Sequence, residues 1–489
     1  MIFNINFIKA ISFALIFVSV SAFAEISESL PSGERWISHL KKDLLPFWMK
    51  EAAFGKPVGN FPTYRCNDGS VYNNDAPCIE LSQSAPWIKK NLQRDFFRMK
   101  SRQTYAYGVA YHLTGDEKIL DVMKKGVDFI RKYALDSLSG GPISYRVDNV
   151  APPAQKTTSQ DLAYIQLGLT FYYYLTRDEA VLQDIVKLKD YIFNEYYNPA
   201  LDRLVTRSHK DSADSRHALV FQLDQVNAYM LLLTPFLPKS LRKSYEKTLV
   251  HLANIMMNSF YNEADNCFYR HIYDDEGKTA RHAVCDNFGA TIKAFLMIYH
   301  IGQFTNNNQL SAFSQSRMPD IFEKAFVKAR NSNTLGFWAS ALRSDGVLDK
   351  KRNWWIYAEL DQAAATLSLE NPAFTKYLVD TYQYWFDYMV DKNNYEVWHT
   401  INLKGEAESP KVHQWKNGYH SMEHALVGYI TSQALHDKPV ILYYAFEPKA
   451  TDVTLLPYFY SGTVKQKSTE GLMTDLGLEK IKVVFEKVH

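Results

Sequence analysis

His420, Glu423 and His424 lie within five residues, in the stretch GYHSMEHALVGYI. The order H-x-x-E-H is that of two zinc ligands and a general base in one class of metallopeptidase. Catalytic zinc needs three protein ligands and an open position. Downstream acids exist at Glu447, Glu470, Glu479 and Glu486, but in a strand-rich tail without a second helix of paired glutamates. Two histidines at helical spacing arise easily by chance, and no metal is expected. His420 reads better as a proton-transfer residue, because an imidazole near its ordinary pKa can take and return a proton at neutral pH. Glu423 and His424 then read as supporting groups, His424 as a structural histidine on an apolar-flanked helix face.

Other residues fit such chemistry. Arg102 follows Arg98 and Lys100 and precedes Gln103-Thr104-Tyr105; Trp354, Trp355, Tyr357 and Glu359 share one segment with Asp361 and Gln362. Aromatic surfaces, a guanidinium, a carboxylate and an imidazole suit a carbohydrate. Sugar rings rest their C–H faces on indoles, and charged groups stabilise an enolate oxygen. The catalytic candidates are His420, Arg102 and Glu359. The substrate-binding candidates are Trp354, Trp355, Tyr105, Tyr357 and Trp398. Each has a plainer reading: a capping arginine, a core tryptophan pair, a glutamate paired with Lys351 or Arg352. The combination across successive segments favours a site.

The elements that must position these residues are helical. Segments around 33–53, 88–113, 116–133, 158–175, 178–195, 216–234, 239–260, 286–303, 309–330, 352–370, 373–391 and 416–434 are long enough for helices, several with apolar residues at three- and four-residue spacing. Turn signals such as Thr114-Gly115-Asp116 separate many of them. Six are rich in aromatic and small residues: SRQTYAYGVAYHL, SQDLAYIQLGL, FQLDQVNAYMLLL, DNFGATIKAFLMI, WWIYAELDQAAA and GYHSMEHALVGYI. The markers Gln160, Gln222, Gly289, Glu359 and His420 recur every 61 to 70 residues. Such a period holds one helical hairpin. Six hairpins predict an all-α (α/α)6 toroid over residues 25–434, with these segments as its inner ring. The last residues, 435–489, are β-branched and aromatic in KPVILYYAF, VTLLPYFYSGTV and EKIKVVFEKV, and predict short strands packed on the barrel.

Lys9 precedes an apolar run, Ala10 to Ala24, ending in Ala22-Phe23-Ala24. It is too short to span a bilayer comfortably and reads as a signal peptide, residues 1–24, of an exported, periplasmic or secreted protein. Four cysteines in the exported part predict disulfides 66–78 and 267–285. A formal net charge of +2 over 489 residues argues against a nucleic-acid partner, which needs a concentrated basic surface. Neither a P-loop nor a dinucleotide fingerprint is present, so no organic cofactor is expected. After cleavage no membrane partner is expected either, leaving a small sugar or oligosaccharide.

Taken together, SRQTYAYGVAYHLTGD, DNFGATIKAFLMI, NWWIYAELDQA, EVWHTINLKGE and WKNGYHSMEHAL resemble the N-acylglucosamine 2-epimerase family over roughly 88–434. The resemblance implies an (α/α)6 barrel acting on reducing-end sugars. It matches Arg102 to the arginine at the sugar oxygen, Glu359 to the glutamate after the Trp-Trp pair, and His420 to the C-terminal catalytic histidine. One departure matters. Where the family has a Gly-His pair, with a glutamate three residues after the histidine, this chain has Gly289-Ala290 and Lys293. His282 and Lys293 are candidate substitutes. Three readings follow: a sugar epimerase or isomerase working through an enediolate; a glycan hydrolase or lyase, with Asp224 and Glu359 as the carboxylates to test; or a glycan-binding descendant disabled at Ala290. On sequence grounds, Ala290→His with Lys293→Glu is the natural rescue of the family arrangement.

Overall fold

The computed structural model describes residues 29–135, 141–152, 157–206, 216–275, 278–280, 287–448, 450 and 453–489. The expected signal peptide, His282 and Cys285 lie outside these residues.

The six aromatic-rich segments form the inner ring of an (α/α)6 barrel. The first inner helix is Phe97–Thr114 and the second Ser159–Thr176. The third runs through Leu219–Gln225, a π-helical turn Val226–Met230 and Leu231–Leu233. The fourth, fifth and sixth are Phe288–Thr305, Trp354–Glu370 and Tyr419–Leu435. In the first, every residue from Phe97 to Leu113 is buried, Arg98, Lys100 and Arg102 included. A helix enclosed on all sides has no solvent face, so it carries no apolar stripe. The outer helix Glu117–Ala134 has one, buried through Ile119, Leu120, Met123, Val127 and Ile130. Gly115, at φ 67°, ends the inner helix in the left-handed region, and Asp116 caps the outer one by accepting from the Lys118 amide. The sixth inner helix packs on both the fifth and the first. The N-terminal run Gly33–His39, Leu40–Leu44 and Leu45–Trp48 covers it from outside, where the Trp36 indole donates to Ser432 Oγ at 3.0 Å.

The expected helix over 309–330 is two, Asn308–Gln315 and Met318–Ala325. Pro319 supplies no amide to continue the first and instead starts the second. The C-terminal extension is a three-stranded antiparallel sheet in which Leu478–Glu486 lies between Val440–Phe446 and Thr463–Met473. The last of these escaped the sequence pattern because it is an exposed, polar edge, KQKSTEGLM, as edge strands tend to be. Residues 453–462 form no strand. They run as a loop into the barrel mouth at the C-terminal ends of the inner helices. There Tyr458 donates to Glu423 Oε1 at 2.8 Å, and its amide bonds to the Tyr174 hydroxyl at 3.0 Å.

Cys66 and Cys78 are bonded as expected; the 267–285 pairing involves Cys285 and so lies outside the described residues. The disulfide is consistent with export, and no described helix is long and apolar enough to cross a membrane. Replacing both Cys66 and Cys78 by serine should lower the unfolding free energy by about 2–4 kcal/mol. Urea unfolding followed by far-ultraviolet circular dichroism checks this; an unchanged midpoint would mean that the staple does not constrain the unfolded chain.

Candidate active site

The N-terminal ends of the inner helices surround a cavity of about 570 Å³, with Arg102, Tyr164, Asp224, Lys293, Trp354, Trp355, Trp415 and His420 in its wall. Side chains far apart in sequence meet here because each is near the start of its helix.

Several contacts hold His420, the second residue of the sixth inner helix. Asn417 accepts from the Tyr419 amide at 3.1 Å and donates to the Met99 carbonyl at 3.0 Å, tying the helix start to the first inner helix. Buried Glu396 accepts from Lys416 Nζ at 3.0 Å and from Ser421 Oγ at 2.8 Å. Arg102 Nη1 donates to the Trp415 carbonyl at 2.7 Å, with its guanidinium 3.9 Å above the Tyr164 ring. Gly289 allows the fourth and fifth helices to close up: a Cβ there would lie 2.7 Å from the Trp355 indole.

Behind the cavity wall lies a charged cluster. Lys293 Nζ is 3.0 Å from Glu359 Oε1, and His420 Nδ1 is 3.5 Å from the same oxygen and 3.9 Å from Glu423 Oε2. The Nδ1 edge of His420 thus faces the carboxyl groups, leaving the Nε2 edge for the cavity. Burial, reinforced by the charges of Lys293, Arg102 and Lys416, holds the His420 pKa well below 6.5. The imidazole is therefore neutral at neutral pH and able to accept a proton. Burial raises Glu359 to about 7 despite the opposing Lys293 charge, with Glu423 repulsion adding to the rise; Glu423 is raised by burial as well. Two buried carboxyls facing one ammonium tend to keep a proton around neutrality. Burial alone would push Lys293 down, but Glu359, Tyr164, Tyr419 and Asp224 together outweigh it and hold the pKa well above 10.5, so the side chain is an ammonium.

Arg102, Trp354, Trp355 and His420 line the one cavity, and Glu359 stands one layer behind it. Three expected sugar contacts lie elsewhere. Tyr105, one turn deeper than Arg102, is fully buried with its hydroxyl 3.0 Å from that of Tyr458. Tyr357 turns toward the outer ring and donates to the Thr381 carbonyl at 3.0 Å. Trp398 lies beside Lys411, whose ammonium is 5.0 Å from its ring. Among the described residues lining the cavity, Asp224 is the one carboxylate; it accepts from Gln160 at 2.7 Å and Tyr164 at 3.0 Å.

The two histidines of H-x-x-E-H part company. His424 Nε2 lies 3.0 Å from Asp361 Oδ2, and its ring sits between Trp36 and Trp385, 5.0 and 4.4 Å away. Glu359, His420 and Glu423 are close enough together to share an ion. The Lys293 ammonium already balances that cluster, so a divalent cation there would meet a like charge.

Sequence reasoning did not place Tyr164, Trp415, His399, His413 or Trp87 in the cavity wall, where all five occur. His413 stands two residues before WKNGYH and Trp415 opens it, but nothing in their spacing signals that the chain doubles back over the cavity. Lys293 had a signal, its place one turn after Ala290.

A family profile, N-acylglucosamine 2-epimerase (GlcNAc 2-epimerase), matches residues 83–425. The chain belongs to this family. A cellobiose 2-epimerase from Dictyoglomus turgidum is 23% identical over 401 residues, covering 78% of this chain and 94% of the relative. A cellobiose 2-epimerase from Eubacterium cellulosolvens is 22% identical over 413 residues, covering 78% and 94%. Among solved structures, cellobiose 2-epimerase from Bacillus thermoamylovorans superposes with a TM-score of 0.65 at 16% identity, covering 81% of this chain and 98% of that one. A D-mannose isomerase superposes at 0.66 with 14% identity, covering 81% and 97%. At such identity the structural likenesses establish the fold. Membership of the N-acylglucosamine 2-epimerase family establishes a relationship to sugar epimerases and isomerases.

Proposed function

We propose that the protein is an exported sugar isomerase of the N-acylglucosamine 2-epimerase family, interconverting a reducing-end aldose and its ketose. The observation that carries this is a neutral His420 whose Nδ1 faces Glu359 while its other edge faces a cavity containing Arg102 and Lys293. The Nε2 of His420 takes the C2 proton of the open-chain aldose. The C–H electron pair enters a C1–C2 double bond as negative charge collects on the carbonyl oxygen. Lys293 and Arg102 stabilise that oxygen, positive charges fixed in advance where charge develops. Glu359 steadies the imidazolium. His420 then returns the proton to C1, O2 becomes the carbonyl oxygen, and the hydroxyl proton moves from O2 to O1.

Epimerisation would need a second donor on the opposite face. Ala290 is not one, and Lys293, held as an ammonium by Glu359, serves better as a fixed charge than as a proton donor. Carboxylate-pair hydrolysis fits less well: Asp224 lines the cavity, but Glu359 lies behind it in an ion pair. Incubation with glucose, mannose and cellobiose, with products separated by chromatography, tests the assignment. Ketose in excess over the C2 epimer is expected at early times; epimer as the first product would overturn the single-base scheme.

A further inference from the structure

The C-terminal extension, residues 435–489, lies beyond the stretch that matches the family profile, yet it reaches the charged cluster behind His420. Its loop over 453–462 fills the barrel mouth opposite the cavity and is held there at several points. Arg177 donates to the Thr454 carbonyl at 2.8 Å, and Tyr174 and Tyr444 donate to the Leu456 carbonyl at 2.7 and 2.9 Å. The Tyr460 hydroxyl lies 2.9 Å from that of Thr366. Ser461 and His489 exchange backbone hydrogen bonds at 3.0 Å.

Within this loop Tyr458 has φ at 62°. Glycine takes that left-handed conformation freely, whereas a residue with a Cβ is strained there. Such strain persists where the surroundings over-determine it, and it clusters at functional sites. What tyrosine supplies here is its hydroxyl, which donates to Glu423 Oε1 at 2.8 Å and lies 3.0 Å from the Tyr105 hydroxyl. A phenol has one proton to give. Tyr458 gives its own to Glu423, so Tyr105 donates to Tyr458. The series Tyr105, Tyr458, Glu423 ends at the proposed base, where Glu423 Oε2 is 3.9 Å from His420 Nδ1. All three side chains are buried, so bulk water does not compete for these bonds.

Resting on the proposed isomerase chemistry, we infer that the C-terminal extension completes the active site: Tyr458 is a positioning residue that holds Glu423 in place behind His420 and favours its carboxylate form. The groups facing Glu423 are Lys293 from the fourth inner helix, Glu359 from the fifth, Tyr105 from the first, Tyr458 and Tyr460 from the loop, and Tyr419 and His420 from its own helix. Burial raises the Glu423 pKa, and the Lys293 charge and then the Tyr458 hydroxyl oppose the rise most. Without that hydroxyl the Lys293 charge remains but one hydrogen bond to the carboxylate is lost. The carboxyl pair should then keep its shared proton to higher pH.

Tyr458→Phe keeps the ring and removes the hydroxyl. Infrared spectroscopy can follow the protonated-carboxyl band that Glu359→Gln and Glu423→Gln each weaken. In Tyr458→Phe this band should titrate about one pH unit above the wild type, the scale of one hydrogen bond to a charged group. On the fastest of glucose, mannose and cellobiose, kcat should fall about tenfold with KM within about twofold. Tyr105→Phe should move both readouts in the same direction by less. An unchanged titration in Tyr458→Phe would overturn the inference, leaving a loop that only plugs the barrel, whatever the change in unfolding midpoint. A shifted titration with unchanged kcat in an active protein would overturn it too. Because the band is read without sugar, a shifted titration in a protein that exchanges no C2 proton would keep the hold of Tyr458 on Glu423 and overturn the proposed function.

Discussion

Replacing His420 with alanine should lower kcat by roughly 10²–10⁴-fold, the range for losing a general acid–base group, with circular dichroism unchanged. His424→Ala should do the reverse. That imidazole is packed between two indoles and paired with buried Asp361, so its loss should cost on the order of 3 kcal/mol of stability and affect kcat much less. The two histidines of one short motif thus separate into a chemical and a structural role. The pH profile follows from the same environment. Burial and three nearby cations depress the His420 pKa, so the imidazole stays neutral below pH 6.5 and gains a proton only in more acidic solution. The acid limb of kcat/KM should therefore lie below pH 6.5. Full activity in His420→Ala, or a limb near pH 7 that persists in Glu359→Gln and so cannot belong to the Glu359 carboxyl, would contradict the assignment.

The second large effect is expected at Lys293. Lys293→Met removes the charge but keeps the shape, leaving Glu359 buried beside Glu423 without its counter-ion. Breaking one side of a buried pair costs about 3–5 kcal/mol, and losing a group that stabilises the developing oxyanion costs roughly 10²–10³-fold in kcat. Adding Glu359→Gln should return much of the stability and none of the activity, a separation readable from urea unfolding and initial rates. Restored activity in the double variant would exclude an electrostatic role for the ammonium. The same geometry overturns the rescue suggested by the sequence. Ala290→His with Lys293→Glu places a third carboxyl against Glu359 and Glu423, so it should destabilise the protein and recover no turnover.

The architecture was legible because the inner helices have an unusual composition, aromatic and small throughout, repeated at a hairpin's length. The site was legible in part. Arg102, Trp354, Trp355 and His420 stand near helix starts, and the helix starts meet. Tyr105 and Tyr357 lie close to these residues in sequence, but one turn or one helix face changes the neighbour from cavity to core. Sequence proximity carries no information on that angle until the packing is known. Trp87, His399 and His413 come from connections between helices, whose paths no periodicity records. The Lys293–Glu359 pair was hidden for another reason: a family glutamate replaced by lysine reads as a loss until the opposite carboxylate is seen 3.0 Å away.

The central claim, a single imidazole that moves the C2 proton of a reducing-end aldose, is tested most directly by proton NMR in deuterated water. Wild type and His420→Ala are each incubated with glucose, mannose and cellobiose, and the C2 signal is followed with time. Exchange at C2 of at least one sugar by the wild type, absent in His420→Ala, is the expected result. No exchange by the wild type on any of the three, or equal exchange by both proteins, would contradict it.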